Sequence, residues 1–187
     1  MRDQAFELLL LREEDLDESF FGEEPSAAYD PAYVSGDPSG RVIVDLTNML
    51  THGTHPETLR HGSALFTNVV GSVVFHHVAQ FGSDAAHKIY EELHTAVQDC
   101  ASYRMELNDG VQIDITRVAL ETAEIGDDGF LVRWLSTVDH FRVDTSWVVA
   151  RKGDVLTFVN TRVPDQEEAL KLARVSAARL ENPDGTP

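Results

Sequence analysis

The stretch 102–120, SYRMELNDGVQIDITRVAL, decides the fold class. At its centre, Asn108-Asp109-Gly110 is a hairpin signal, because these residues accept the positive backbone angles of a tight connection between strands. SYRMEL, on one side, sets Tyr103 and Met105 on a shared face, since successive strand side chains point to opposite sides. VQIDITRVAL, on the other, is rich in the β-branched residues that pleated surfaces favour. Three more runs of this kind follow: FLVRWLSTV (130–138), DTSWVVARK (144–152) and VLTFVNTRV (155–163), the last two joined by Lys152, Gly153 and Asp154. Strands in succession with no helix between them predict an antiparallel sheet.

Upstream of this block, Ala85, Ile89, Leu93, Ala96 and Cys100 recur at helical spacing, while Glu91, Glu92 and Gln98 lie away from them. That pattern predicts an amphipathic helix that Ser83 can cap. SALFTNVV (63–70) and SVVFHHVAQF (72–81) read as two further strands turning near Gly71 and Ser72. VIVDLTNMLTHGTHPETLRH (42–61) is ambiguous, with a short helix expected around 45–50 and ending near Gly53. The first 40 residues read as a short helix carrying Phe6, Leu9 and Leu10, then an irregular surface segment punctuated by proline and glycine. Downstream, Pro164, Asp165 and Glu168 form a capping-box pattern that opens a last helix to about Leu180, and 183–187 reads as a frayed tail. No repeat, low-complexity tract or linker interrupts the chain. The expectation is one α+β domain spanning 1–187.

The composition excludes some functions. The chain has 187 residues, 42% of them hydrophobic, and a net charge of −17 from 32 acidic and 15 basic side chains. Such a surface repels phosphate, so nucleic acid and anionic membranes are not expected as partners. The leucine run at 8–11 is flanked by Glu7, Arg12, Glu13 and Glu14, and is far shorter than the roughly 20 apolar residues of a membrane helix. With no basic-then-apolar leader either, the expected location is the cytoplasm. The single cysteine, Cys100, cannot form an internal disulfide, and its place on an apolar helix face reads as a buried thiol rather than a nucleophile.

Several segments resemble a known family. FGSDAAHKIYEELHTAVQDCASYRMEL (81–107) is similar to the central helix of the PknH-type extracellular sensor domains of actinobacteria. The shared features are a phenylalanine before the helix (Phe81), alanines within it (Ala85, Ala86), a cysteine at its end (Cys100) and an aromatic beyond (Tyr103). EIGDDGFLVRW (124–134) resembles their glycine–aspartate turn into a strand, and WVVARKGDVLTFVNTRV (147–163) their hairpin. ALKLARVSAARL (169–180) resembles their final helix, and LLLREEDLDESF (9–20) their leucine-rich opening. The resemblance implies a twisted antiparallel sheet with helices packed on one side and a ligand cleft. Members use disulfides, and the partner of Cys100 would lie within GRVIVDLTNML (40–50), where no cysteine stands. The chain therefore reads as a cytosolic, disulfide-less, stand-alone derivative of an exported ligand-binding fold.

No strong reaction signature is present. His52, His55 and His61 share one loop, but no cysteine supports them as a zinc site. His76 and His77 are adjacent on a strand and so point to opposite faces. HExxH, the nucleophile elbow, the P-loop and GxGxxG are all absent, and neither metal nor cofactor is expected. What remains is aromatic and apolar. Val132, Trp134, Ser136, Val138 and His140 fall on one face of their strand; Thr145, Trp147, Val149 and Arg151 align on the next. Apolar surface with a few polar groups is the usual lining of a small-molecule pocket. Trp134, Trp147, Met105, Val132, Val138 and Val149 are the candidate ligand-binding residues, and Tyr103, His140 and Ser136 the candidate groups for polarising a carbonyl. Three functions fit. One is a cofactor-independent enzyme that folds a hydrophobic, polyketide-like substrate for cyclisation or isomerisation by positioning. The others are a non-catalytic binding or sensor protein using the same cleft, and an acidic protein-interaction module. Exposed strand edges leave a homodimer open.

Overall fold

The computed structural model of the chain describes residues 4–24, 31–82, 84–162 and 166–181. Among these residues nine strands form one sheet: β1 (Phe20–Glu23), β2 (Pro31–Gly36), β3 (Thr58–Asn68), β4 (Val73–Phe81), β5 (Ser102–Leu107), β6 (Gln112–Thr122), β7 (Asp128–Val138), β8 (Phe141–Lys152) and β9 (Val155–Thr161). Their spatial order is β1-β3-β4-β9-β8-β7-β6-β5-β2, and every pairing is antiparallel. This is an α+β fold on an open antiparallel sheet, as the strand succession predicts. The helices are α1 (Gln4–Glu7), α2 (Pro38–His52), α3 (Ala85–Asp99) and α4 (Gln166–Glu181).

Alternation along the central strands separates two cores. Phe130, Val132 and Trp134 of β7, Val149 of β8, and Leu156 and Phe158 of β9 share one face with α2 and α3. Leu131, Val148, Ala150 and Val159 turn the other way, against Ala169, Leu172 and Ala173 of α4. The expectation of helices on one side therefore needs a correction: α4 covers the opposite face. The reason is visible in β8, where the consecutive residues Val148 and Val149 are both fully buried, so each face must be covered. The amino-terminal segment completes the α4 side. Leu11 donates its backbone N–H to His76 Nδ1 at 3.0 Å, and Arg179 of α4 bonds the Leu10 carbonyl and pairs with Asp15 at 2.8 Å.

Two further expectations change. The stretch at 31–36, read as irregular surface, is the edge strand β2 paired with β5; an edge tolerates Pro31 because one side of the strand needs no donor. The helix expected over 45–50 begins earlier, at Pro38, with Asp37 accepting from Ser39 N at 2.9 Å and Gly53 ending it in the left-handed region. That start matches proline at the first helical turn and an aspartate cap. Gly40 then lets α2 lie against β5, since a Cβ there would fall 2.5 Å from Tyr103 Cβ. Ser83, Pro164, Asp165 and the 183–187 tail lie outside the described residues. Cys100 follows α3, is fully buried, and its thiol is pushed up by burial and by the charge of Asp37. Among the described residues, no helix is long and apolar enough to cross a membrane.

Candidate functional site

The face shared by α2 and α3 is filled at one end only. There Tyr90 and His94 of α3 pack on Phe130, with ring centroids 5.6 and 5.0 Å apart. At the other end the sheet and α2 enclose a cavity of about 710 Å³. Val44, Thr47, Asn48 and Thr51 form its helical wall. Its floor is the sheet: Leu65 and Thr67 of β3, Phe75 and His77 of β4, Tyr103 and Met105 of β5, and Ile113 and Ile115 of β6. Ser136 and Val138 of β7, Val143, Thr145 and Trp147 of β8, and Phe158, Asn160 and Arg162 from β9 and its end complete it. A cavity of this size, mostly apolar with a few polar groups, is what a small-molecule site requires.

The floor is organised by a continuous row of rings. Phe75 stacks on His77 at 4.4 Å, and His77 lies 6.0 Å from Phe158. Phe158 meets Trp147 edge-on at 5.4 Å, Trp147 lies 5.5 Å from Trp134, and Trp134 meets Tyr103 edge-on at 5.7 Å. Such offset and edge-on pairs hold one another in fixed orientations. Register makes this possible: His77 pairs with Phe158, and Trp147 with Asn160, bringing β4, β9 and β8 side chains onto one surface.

Burial holds His77 and Tyr103 of the wall neutral. Desolvation pushes His77 down to about 3, helped by the nearby charges of His52 and His61. Burial pushes the Tyr103 hydroxyl above its ordinary range. His77 Nδ1 is buried and has no hydrogen-bond partner among the described residues, and neither has Trp134 Nε1. On the opposite face, His76 is also pushed down to about 3 by burial, yet both its nitrogens are bonded: Nδ1 to Leu11 N, and Nε2 to Thr157 Oγ1 at 2.9 Å and Ser176 Oγ at 2.8 Å. No group of three histidine, cysteine or carboxylate side chains suited to a metal ion occurs among the described residues.

No protein-family model matches the chain, and no curated protein matches it in sequence. The crystal structure of the extracellular domain of PknH from Mycobacterium tuberculosis superposes with a TM-score of 0.76 over 97% of this chain and 97% of that one, at 12% identity. The chain has the PknH extracellular-domain fold. An X-ray structure of a Mycobacterium smegmatis protein, an ortholog of Rv0999, is less alike, with a TM-score of 0.48 and 11% identity over 94% of this chain and 95% of that one.

In this PknH-type fold the sequence-predicted residues divide. Tyr103, Met105, Ser136, Val138 and Trp147 line the cavity. Trp134 is buried against Tyr103 and Trp147 without lining it. Val132 and Val149 are fully buried in the core shared with α3. His140 sits on the exposed turn between β7 and β8, beyond the end of β7 and apart from the lining. Sequence reasoning missed His77, Asn160, Arg162 and the α2 wall. The alternation of VLTFVNTR does put Phe158, Asn160 and Arg162 on one side, but only the register with β8 sets them beside Trp147.

Proposed function

We propose that this chain is a non-catalytic binding module that holds a small, largely apolar molecule in the cavity between α2 and the sheet. The observation that carries this reading is the ring-floored cavity itself, its apolar surface interspersed with polar side chains such as Asn48, Thr67, Ser136, Thr145 and Asn160. The shared fold with the PknH extracellular domain supports binding over turnover as the expected use of that face. Enzymatic cyclisation or isomerisation is the less supported reading. His77 is too weakly basic to take up a proton near neutral pH, and the Tyr103 hydroxyl is made a poorer acid by burial. The unpaired, buried Cys100 suits a reducing compartment, which would make the bound molecule an internal metabolite.

The deciding experiment incubates the purified protein with an apolar cell extract and follows it by liquid chromatography and mass spectrometry. A compound retained by the protein and released unaltered is the expected result. A compound that reappears at unchanged mass but new retention time would replace this reading with an isomerase or cyclase. Retention of no compound would direct attention to the acidic surface as the working face.

A further inference from the structure

The cavity differs in charge from the rest of the molecule. The chain carries 32 acidic side chains, yet among the described residues no aspartate or glutamate lines the cavity, and Arg162 is the only lysine or arginine that does. Arg162 is exposed at the rim, immediately after β9, with its backbone held by the Val73 carbonyl at 2.8 Å. Six other arginines (Arg12, Arg41, Arg104, Arg133, Arg151 and Arg179) are ion-paired, whereas the Arg162 guanidinium has no carboxylate partner among the described residues. Asn160 lies two residues back on the same side and also lines the cavity. Among the described residues, the one carboxylate bonded to a lining side chain is Glu23, which accepts from Thr67 Oγ1 at 2.8 Å. His77 also lines the cavity, but its unpartnered Nδ1 is buried away from the open space.

We propose that the cavity takes an apolar carboxylic acid with its carboxylate on Arg162 and Asn160 at the rim and its body along the ring floor. This deepens the binding reading and rests on it. Guanidinium is the natural partner, since its fork of donors matches a carboxylate. The acidic exterior does not oppose this ligand at close range, because surface charges beyond about 10 Å are screened at ordinary salt.

The test uses octadecanoic acid, its methyl ester and the neutral dye Nile red, titrated into the full chain by tryptophan or dye fluorescence. The free acid should bind about tenfold or more tighter than the ester, in line with a charge-assisted hydrogen bond. Arg162→Gln should erase that difference while leaving Nile red affinity unchanged. Equal binding of acid and ester by the wild type would overturn the carboxylate assignment and leave the cavity as a neutral-ligand site. If Nile red, acid and ester all fail to bind, the binding reading fails with it.

Discussion

His76 and His77 are neighbours in sequence and share the same direction of pKa shift, yet they should differ in their response to mutation. Both are pushed from 6.5 to about 3 by burial, so both stay neutral in the native state while the unfolded chain protonates near 6.5. Because the native values are depressed, each histidine's contribution is fully present above pH 6.5 and is lost as pH falls toward 3. At pH 5 the unfolded state is favoured by about 2 kcal/mol per histidine, or about 4 kcal/mol for the pair relative to pH 7. That is a large share of the roughly 5–15 kcal/mol that holds a domain folded. Asp17, Asp114 and Asp127, whose carboxyls are held below their ordinary range by hydrogen bonds, lose their contributions at lower pH.

The two sites separate at pH 7. His76 Nδ1 accepts the buried Leu11 N–H, so His76→Phe orphans a backbone donor and breaks the link to Thr157 and Ser176. The expected cost is about 3 kcal/mol. His77 Nδ1 has no partner, and its ring stacks on Phe75 and approaches Phe158. His77→Phe should therefore stay within about 1 kcal/mol of wild type, since it deletes an unsatisfied nitrogen and keeps the ring. It should also halve the acid-induced loss between pH 7 and pH 5. Urea titrations at the two pH values, read by tryptophan fluorescence with unchanged m-values, measure all of this. Equal destabilisation of both variants at pH 7, or an acid response untouched by His77→Phe, would refute the reasoning.

Three other outcomes can be checked alongside. Gly40→Ala, which in an open helix gains about 1 kcal/mol, should here lose about 2 kcal/mol in a denaturant melt, because the new Cβ would meet Tyr103 Cβ at 2.5 Å and Cγ at 2.7 Å. Trp134→Ala should cost about 3–5 kcal/mol as a core truncation, whereas half-buried Trp147→Ala should cost less stability and more ligand affinity; thermal melts paired with dye titration distinguish the two. Cys100, fully buried with its thiol pushed up, should resist a thiol-reactive dye in the native protein and react once urea unfolds it; rapid native labelling would contradict its placement.

How much of this was legible in the sequence follows from the range of the forces involved. Strands β5 to β9 announce themselves, since period-two alternation and the turns at Asn108–Gly110 and Gly153 are local properties. The amphipathic face of α3 is equally local. Helix α2 was obscured by Val42, Ile43 and Val44, a β-branched run that reads as strand; the Asp37 cap, Pro38 and packing against β5 and α3 outweigh that preference. Edge strand β2 was hidden by its proline and by a partner some seventy residues away. The face covered by α4 is undetermined locally, because β8 is apolar on both sides. The site itself divides the same way. Tyr103, Met105, Ser136, Val138 and Trp147 could be found from strand parity alone. Pairing β4 with β9 across some eighty residues, which sets His77 beside Phe158, cannot be read from any short window.

That pairing also bears on why a cavity exists. One half of the sheet face is closed by α3 over Phe130, Val132 and Val149, each almost wholly buried. The other half carries Ser136, Thr145 and Asn160 among its rings, a mixture that a covering helix could not bury without orphaning polar atoms. Larger side chains at Val138 or Val143 would fill the space and add packing energy, since an empty apolar cavity costs stability in proportion to its volume. His77 compounds that cost by placing an unpartnered nitrogen in the same wall. A sequence under pressure for stability alone removes both features by ordinary substitutions. Their joint presence, in a wall where Arg162 is the one lysine or arginine and no carboxylate stands among the described lining residues, is the feature that the proposed binding role accounts for.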